Sequence, residues 1–326
     1  MKTDISATIT ATIIAKLEAG TKPWVKPWTG QPISRPLRHC GSAYRGINTL
    51  ILWMAAEERG YISPYWMTYR QAIILKGQVR KGEKSSQAVF YKTLVTKDGT
   101  ADKESIDDNA GGSGDEGQTR RLLRQYAVFN AEQIDGLPAH FYPIPKPPQK
   151  IPESIHRPRL EAIFAKIPAA VRHNGNQAYY NRARDEIVLP AIDQFPNFEA
   201  YFAVRAHETA HWTGAKRRLD RTFGKRFGDA AYAMEELIAD IAAAILGATL
   251  GLPEAQLDNH ASYLAHWLKV LKSDKTAILT AASKADEAVN FILGFAQEGP
   301  CRIVGREPQL VAACSPSRPK STVMTC

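Results

Sequence analysis

At 326 residues and 36.1 kDa the chain is long enough for two domains, and its 44% hydrophobic and 23% charged residues give an ordinary globular balance. No stretch reaches the roughly 18 unbroken apolar residues of a membrane span, the opening MKTDISATITATIIAKL has no cleavable signal pattern, and Cys40, Cys301, Cys314 and Cys326 show no CxxC spacing; membrane, secreted, disulfide-framed and cysteine-zinc classes are excluded, and a cytoplasmic protein is expected. The net charge of +9 is uneven: residues 1 to 97 hold 15 Lys and Arg against 5 Asp and Glu, whereas residues 151 to 326 hold 21 against 19, so a polyanion is expected to meet the N-terminal part.

In chain order, Ile5, Ile9, Ile13, Ile14 and Leu17 repeat at helical spacing behind Thr3 and Asp4, and Gly20 closes this first helix. Lys22-Pro-Trp-Val-Lys-Pro-Trp then interleaves tryptophans with lysines where proline forbids helix. A second helix runs from about Ile47 to Gly60, a third is expected to start at Ser63-Pro-Tyr-Trp-Met-Thr-Tyr-Arg-Gln, and Gly77 to Lys84 reads as a basic turn. Two antiparallel strands, around Ala88 to Val95 and Gln125 to Asn130, flank residues 97 to 119, which carry almost no apolar side chain and are expected to form a disordered acidic loop. Trp24, Trp28, Tyr44, Arg45, Tyr65, Trp66, Tyr69, Arg70, Arg80, Lys81 and Lys84 fall on loops or element edges. Basic residues along phosphates and rings under bases are how single-stranded nucleic acid is held, so these eleven are the candidate DNA contacts. No helix-turn-helix or zinc finger is present, which leaves duplex DNA as the weaker partner.

Seven prolines between 138 and 158 mark an extended linker and divide an N-terminal domain, 1–137, from a second, 159–297, with a disordered tail over 298–326. The second domain opens on a helix near Leu160. A small antiparallel sheet follows, around Val171, Tyr179 and Glu186 to Leu189. The fold class is α+β.

An apolar helical run then carries His207-Glu208-Thr209-Ala210-His211, an HExxH motif. Residues four apart on a helix lie about 5–6 Å apart on one face, so His207 and His211 can share a cation while Glu208 lies beside it, not on it. A zinc ion so bound needs a third protein ligand and an open position. The third histidine of an HExxHxxGxxH site is replaced by Arg217, and the next helix offers Glu235, Glu236 and Asp240. Glu236 is preferred as ligand because Asp240, one turn on, is expected to orient a ligand histidine, whereas Glu235 has only Ala239 at that spacing. Two further helices follow, near 259–271 and 276–295.

GSAYRGINTLILW, SPYWMTYRQA and GQVRKGEKSSQAVFY resemble the N-terminal domain of ArdC-type plasmid antirestriction proteins, and AHETAHWTG, RLDR, YAMEELIADIAAAIL and NHASYLAHWLKVLK resemble their zincin-like metallopeptidase domain. The resemblance implies single-stranded DNA binding by the first half and a gluzincin-like site in the second, with His207, His211 and Glu236 as ligands and Glu208 as base. Zinc is the expected metal, with manganese or another divalent ion as the variant, and the implied role is protection of incoming plasmid DNA from host restriction. A protein substrate is implied without being named by any residue. Two other readings use the same features: a DNA-coating protein whose metal only braces the fold, and a DNA-tethered protease acting on protein crosslinked to DNA.

Overall fold

The computed structural model describes residues 4–24, 34–95, 105–107, 119–143, 151–223, 230–255 and 260–297. Helix α1 (Ile5–Glu18) starts where expected, because the Asp4 side chain accepts from the Ala7 amide at 3.1 Å, and buries Ile9, Ile13 and Leu17. After β1 (Leu37–Arg38), α2 (Ile47–Arg59) ends on Gly60, whose φ of 70° is the left-handed cap that glycine adopts without strain. The expected third helix at Ser63 is instead a strand, β2 (Tyr65–Met67), and α3 (Tyr69–Ile74) begins only after Thr68. Thr68 and Gln71 form a reciprocal capping box there, and Pro64 biases the residue before it toward extended backbone. Strand β3 (Gln78–Val79), read as turn from sequence, pairs with β7 (Ile134–Asp135).

Strands β4 (Ser86–Val95) and β6 (Thr119–Asn130) form the expected antiparallel pair, in register from Ser86 opposite Val128 to Val95 opposite Thr119. Part of the supposed disordered loop, β5 (Ser105–Asp107), adds a strand to β4; the rest of 97–118 lies outside the described residues, as does the tail 298–326. The N-terminal sheet has the order β1-β2-β6-β4-β5.

The proline-rich stretch is not one extended linker. Residues 139–141 form a short 3-10 turn that buries Phe141 against Met67, Val79 and Ile134, and Pro158 already lies inside α4 (Glu153–Ala165); 144–150 lies outside the described residues. Strands β8 (Ala170–His173), β9 (Tyr179–Asn181) and β10 (Glu186–Leu189) make a mixed sheet in the order β8-β10-β9, with β8 parallel and β9 antiparallel to the buried β10, where an all-antiparallel sheet was expected. Helices α5 (Phe198–Thr213), α6 (Ala230–Leu250), α7 (His260–Ser273) and α8 (Ala277–Gln297) complete an α+β fold. None of the described helices is long and apolar enough to cross a membrane. One apolar core runs through both halves: Ile9, Ile13, Leu17 and Trp24 share it with Trp267 and Leu271, and Leu50 and Met54 of α2 with residues of α8.

Candidate metal centre

The site depends on two helices that pack on nearly all sides. Asn197 caps α5, accepting from the Ala200 amide at 2.8 Å, and almost every later residue of that helix is buried. Alanines 233, 239 and 242 of α6 are also buried, and small residues allow close approach between helix axes. The HExxH segment and the carboxylates of α6 thus meet inside the protein.

Three donors converge. His207 Nε2 and His211 Nε2 are 3.1 Å apart, and Glu236 places Oε2 3.6 Å from the first and Oε1 3.6 Å from the second. A tetrahedral ion with bonds of about 2.0–2.1 Å sets its ligand atoms about 3.3–3.4 Å apart, so the three fit a zinc-sized cation. Among the described residues this is the one cluster of its kind. Glu208 is buried beside it and faces the same cleft of about 500 Å³, whose walls include Tyr180, Tyr232 and Tyr263.

Glu235, set aside by the spacing argument, has a definite task. His211 Nδ1 donates to Glu235 Oε1 at 3.1 Å, which turns Nε2 toward the ligand position and fixes the tautomer. Arg221 then grips Glu235 from outside, Nε donating to Oε2 at 2.9 Å and Nη2 to Oε1 at 2.7 Å, and is itself held by Thr213 Oγ1 and the Ala210 carbonyl. Gly214 admits this arginine: a Cβ there would lie 2.8 Å from Arg221 Nη2 and 2.6 Å from Phe223 Cζ.

Asp240 does not orient a ligand histidine. One turn beyond Glu236 it meets the N-terminal segment instead, accepting from Trp24 Nε1 at 2.6 Å and Lys22 Nζ at 3.2 Å. His207 Nδ1 is buried with no hydrogen-bond partner.

The charges follow this geometry. Burial raises the Glu208 carboxyl and Glu236 adds to it, against the pull of His207 and His211. Burial works against charge on Glu236 and Glu235 too, yet His211 and His207 hold the first well below the carboxylate range, and Arg221 and His211 lower the second. Tyr232 and Tyr263 are pushed up by burial and the Glu236 charge, so both keep their hydroxyl protons. Sequence reasoning missed Tyr232, Arg221 and the role of Glu235; only Tyr232 left a signal, standing four residues before Glu236 on the same helix face.

The candidate DNA residues divide. Trp24, Tyr44 and Trp66 are 2%, 3% and 1% exposed and cannot stack bases as they stand. Trp24 packs on Trp267 with ring centres 5.8 Å apart, and the Tyr44 hydroxyl donates to the Trp66 carbonyl. Tyr65 is half-buried against Phe141. Arg45, Tyr69, Arg70, Lys81 and Lys84 are exposed, as is Arg80, which is paired with Glu83 and Asp135. Trp28 lies outside the described residues.

Residues 3–129 match the model of the N-terminal domain of anti-restriction factor ArdC, and residues 158–284 that of a zincin-like metallopeptidase. The crystal structure of antirestriction protein ArdC from plasmid R388, metal-free, is 42% identical, superposes with a TM-score of 0.73, and matches over 90% of this chain and 98% of that one. The chain belongs to the ArdC antirestriction family. The Mn(II)-bound form of R388 ArdC gives a TM-score of 0.72 over 91% of this chain and 99% of that one, at 41% identity. An uncharacterised protein, y4eC, of Sinorhizobium fredii is 41% identical over 265 residues, 81% of this ArdC-family chain and 82% of that protein. DNA primase TraC of Escherichia coli is 38% identical over 263 residues, 79% of this chain but only 24% of the primase.

Proposed function

We propose that this ArdC-family protein binds single-stranded DNA through its N-terminal half and cleaves peptide bonds at a zinc-loaded His207, His211 and Glu236 centre, protecting incoming plasmid DNA from restriction in the cytoplasm. The convergence of these three donors beside a buried, non-ligand Glu208 carries the enzymatic part. A bound divalent ion would supply an acidified water, of pKa about 7 for zinc, and a polarised carbonyl. Glu208, raised by burial, is suited to take the proton of that water and hand it to the leaving amine. Strand β9 is the edge of its sheet and lines the cleft, so an extended peptide has backbone groups to pair with. The protonated hydroxyls of Tyr232 and Tyr263, hydrogen-bonded to each other at 3.3 Å, line the same space.

For DNA, exposed Arg45, Arg70, Lys81 and Lys84 with Tyr69 supply charge and one stacking ring, which supports binding of single strands ahead of duplex. Two measurements test the reading together. Metal content and peptide hydrolysis are compared for wild type and Glu208→Gln, and binding to single-stranded and duplex oligonucleotides is followed against salt. A Glu208→Gln protein that hydrolyses peptide at the wild-type rate refutes the role of the base. Absence of salt-dependent single-strand binding refutes the role of the N-terminal half.

A further inference from the structure

A second cavity, of about 150 Å³, lies on the N-terminal sheet between the Arg38–Ser42 hairpin, Tyr44, Gln71 and Tyr126. The hairpin is tight: the Gly41 amide donates to the Arg38 carbonyl at 2.8 Å, the Arg38 amide to the Ser42 carbonyl at 2.8 Å, and Gly41 sits at φ 83°. Both ends of the turn therefore open onto the same space. The Arg38 guanidinium lies 5.0 Å from the centre of the Tyr44 ring, which is braced from behind by its bond to the Trp66 carbonyl, and it lines the cavity together with Tyr126. Gln71 is fixed by its capping box through Oε1, leaving the amide nitrogen as its other end.

The lining is rich in donors and contains no carboxylate. His39 Nδ1, moreover, is shut off from solvent and meets no hydrogen-bond partner, a state uncommon for buried polar atoms and one that a bound water, ion or ligand relieves. At about 30 Å³ per water the space holds roughly five non-hydrogen atoms, the size of a phosphate group and too small for a nucleoside.

We propose that this cavity seats one phosphate group of a single DNA strand, with Arg38, His39 and Ser42 donating to its oxygens. Phosphate follows from the donors and the volume; the strand as its source rests on the single-strand reading proposed above. The test uses the full chain. The His39 ring signals, assigned by their loss in His39→Gln, are followed by NMR on titration with inorganic phosphate and then with oligo(dT), and strand affinity is measured against salt for wild type, Arg38→Gln and Ser42→Ala.

The expected result is a saturable shift of His39 with both probes. Arg38→Gln should reduce the slope of log affinity against log salt by about 0.7, one phosphate on a single strand. Ser42→Ala, which leaves the hairpin backbone untouched, should bind the strand several-fold more weakly with an unchanged melting temperature. Strand binding with a silent His39, or a folded Ser42→Ala and Arg38→Gln that bind with wild-type affinity and slope, overturns the seat alone. A His39 that answers to inorganic phosphate in a protein that binds no strand overturns the strand as the source, and the single-strand reading with it.

Discussion

Replacing Arg221 with Met, alone and together with Glu235→Leu, separates the stability of the protein from its affinity for metal. Arg221 and Glu235 are 9% and 3% exposed, and the arginine makes two hydrogen bonds to the carboxylate and two more to Thr213 and Ala210. Removing one partner of a buried ion pair leaves the other charge stranded, at a cost of about 3–5 kcal/mol. The stranded Glu235 then loses its fixed orientation on His211 Nδ1, and loss of such outer support lowers metal affinity by about 10–100-fold. Removing both charges, as in Arg221→Met with Glu235→Leu, should recover much of the stability, because a well-packed apolar pair is about as stable as a buried ion pair. It should not recover the affinity, since nothing then orients His211. Thermal melts of the metal-free proteins report the first quantity and competition with a chelator of known affinity the second. An Arg221→Met protein with wild-type melting and wild-type metal affinity would refute the relay from Arg221 through Glu235 to His211.

Glu236→Ala should abolish stoichiometric metal binding while Glu235→Ala retains it at reduced affinity, which elemental analysis after dialysis decides. Glu208→Gln should keep metal, fold and DNA binding and lower peptide hydrolysis by about 10²–10⁴, read as kcat on a peptide library. Asp240→Ala strips Lys22 and Trp24 of a buried acceptor and should destabilise the protein by about 3 kcal/mol in denaturant titration, with metal stoichiometry unchanged. Reversing Arg45 and Arg70 to Glu should weaken single-strand binding, whereas Trp66→Leu should act on stability, because only the arginines are exposed.

The pairing of His207 with His211 was legible because HExxH is a local pattern: four residues of helix bring two imidazoles together wherever the helix lies. The carboxylates of α6 were harder. Choosing between Glu235 and Glu236 by looking for an intrahelical supporter picked the carboxylate that lies against both histidines, but on a premise the structure does not share, since Asp240 turns to Trp24 and the supporter of His211 is Glu235 itself. Its anchor, Arg221, comes from the segment between the helices, and no periodicity announces a contact of that sort. The burial of Trp24 was hidden in the same way. Interleaving with lysine and proline suits a cap over a core as well as a stacking platform, and Trp24 fills a gap beside Trp267 that exists only once α1 has docked on α7. Pairing of β4 with β6 was readable from two apolar runs flanking a stretch with almost no apolar side chain, whereas the parallel step from β8 to β10 joins strands that are not sequential neighbours.

The apolar face of α1 closes over α7, and α2 leans on α8, so a cut near residue 140 would expose Ile9, Ile13, Leu17 and Trp24 to water on one fragment and their counterparts on the other. Each fragment would carry a sticky surface that the intact chain never shows, and heating the intact chain should give one cooperative transition in place of two. The same constraint bears on inheritance. The region shared with the TraC primases spans 79% of this chain, too long to be either half alone, as expected if an ArdC N-terminal domain and a zincin-like domain that seal one another's core can be transplanted only as a block.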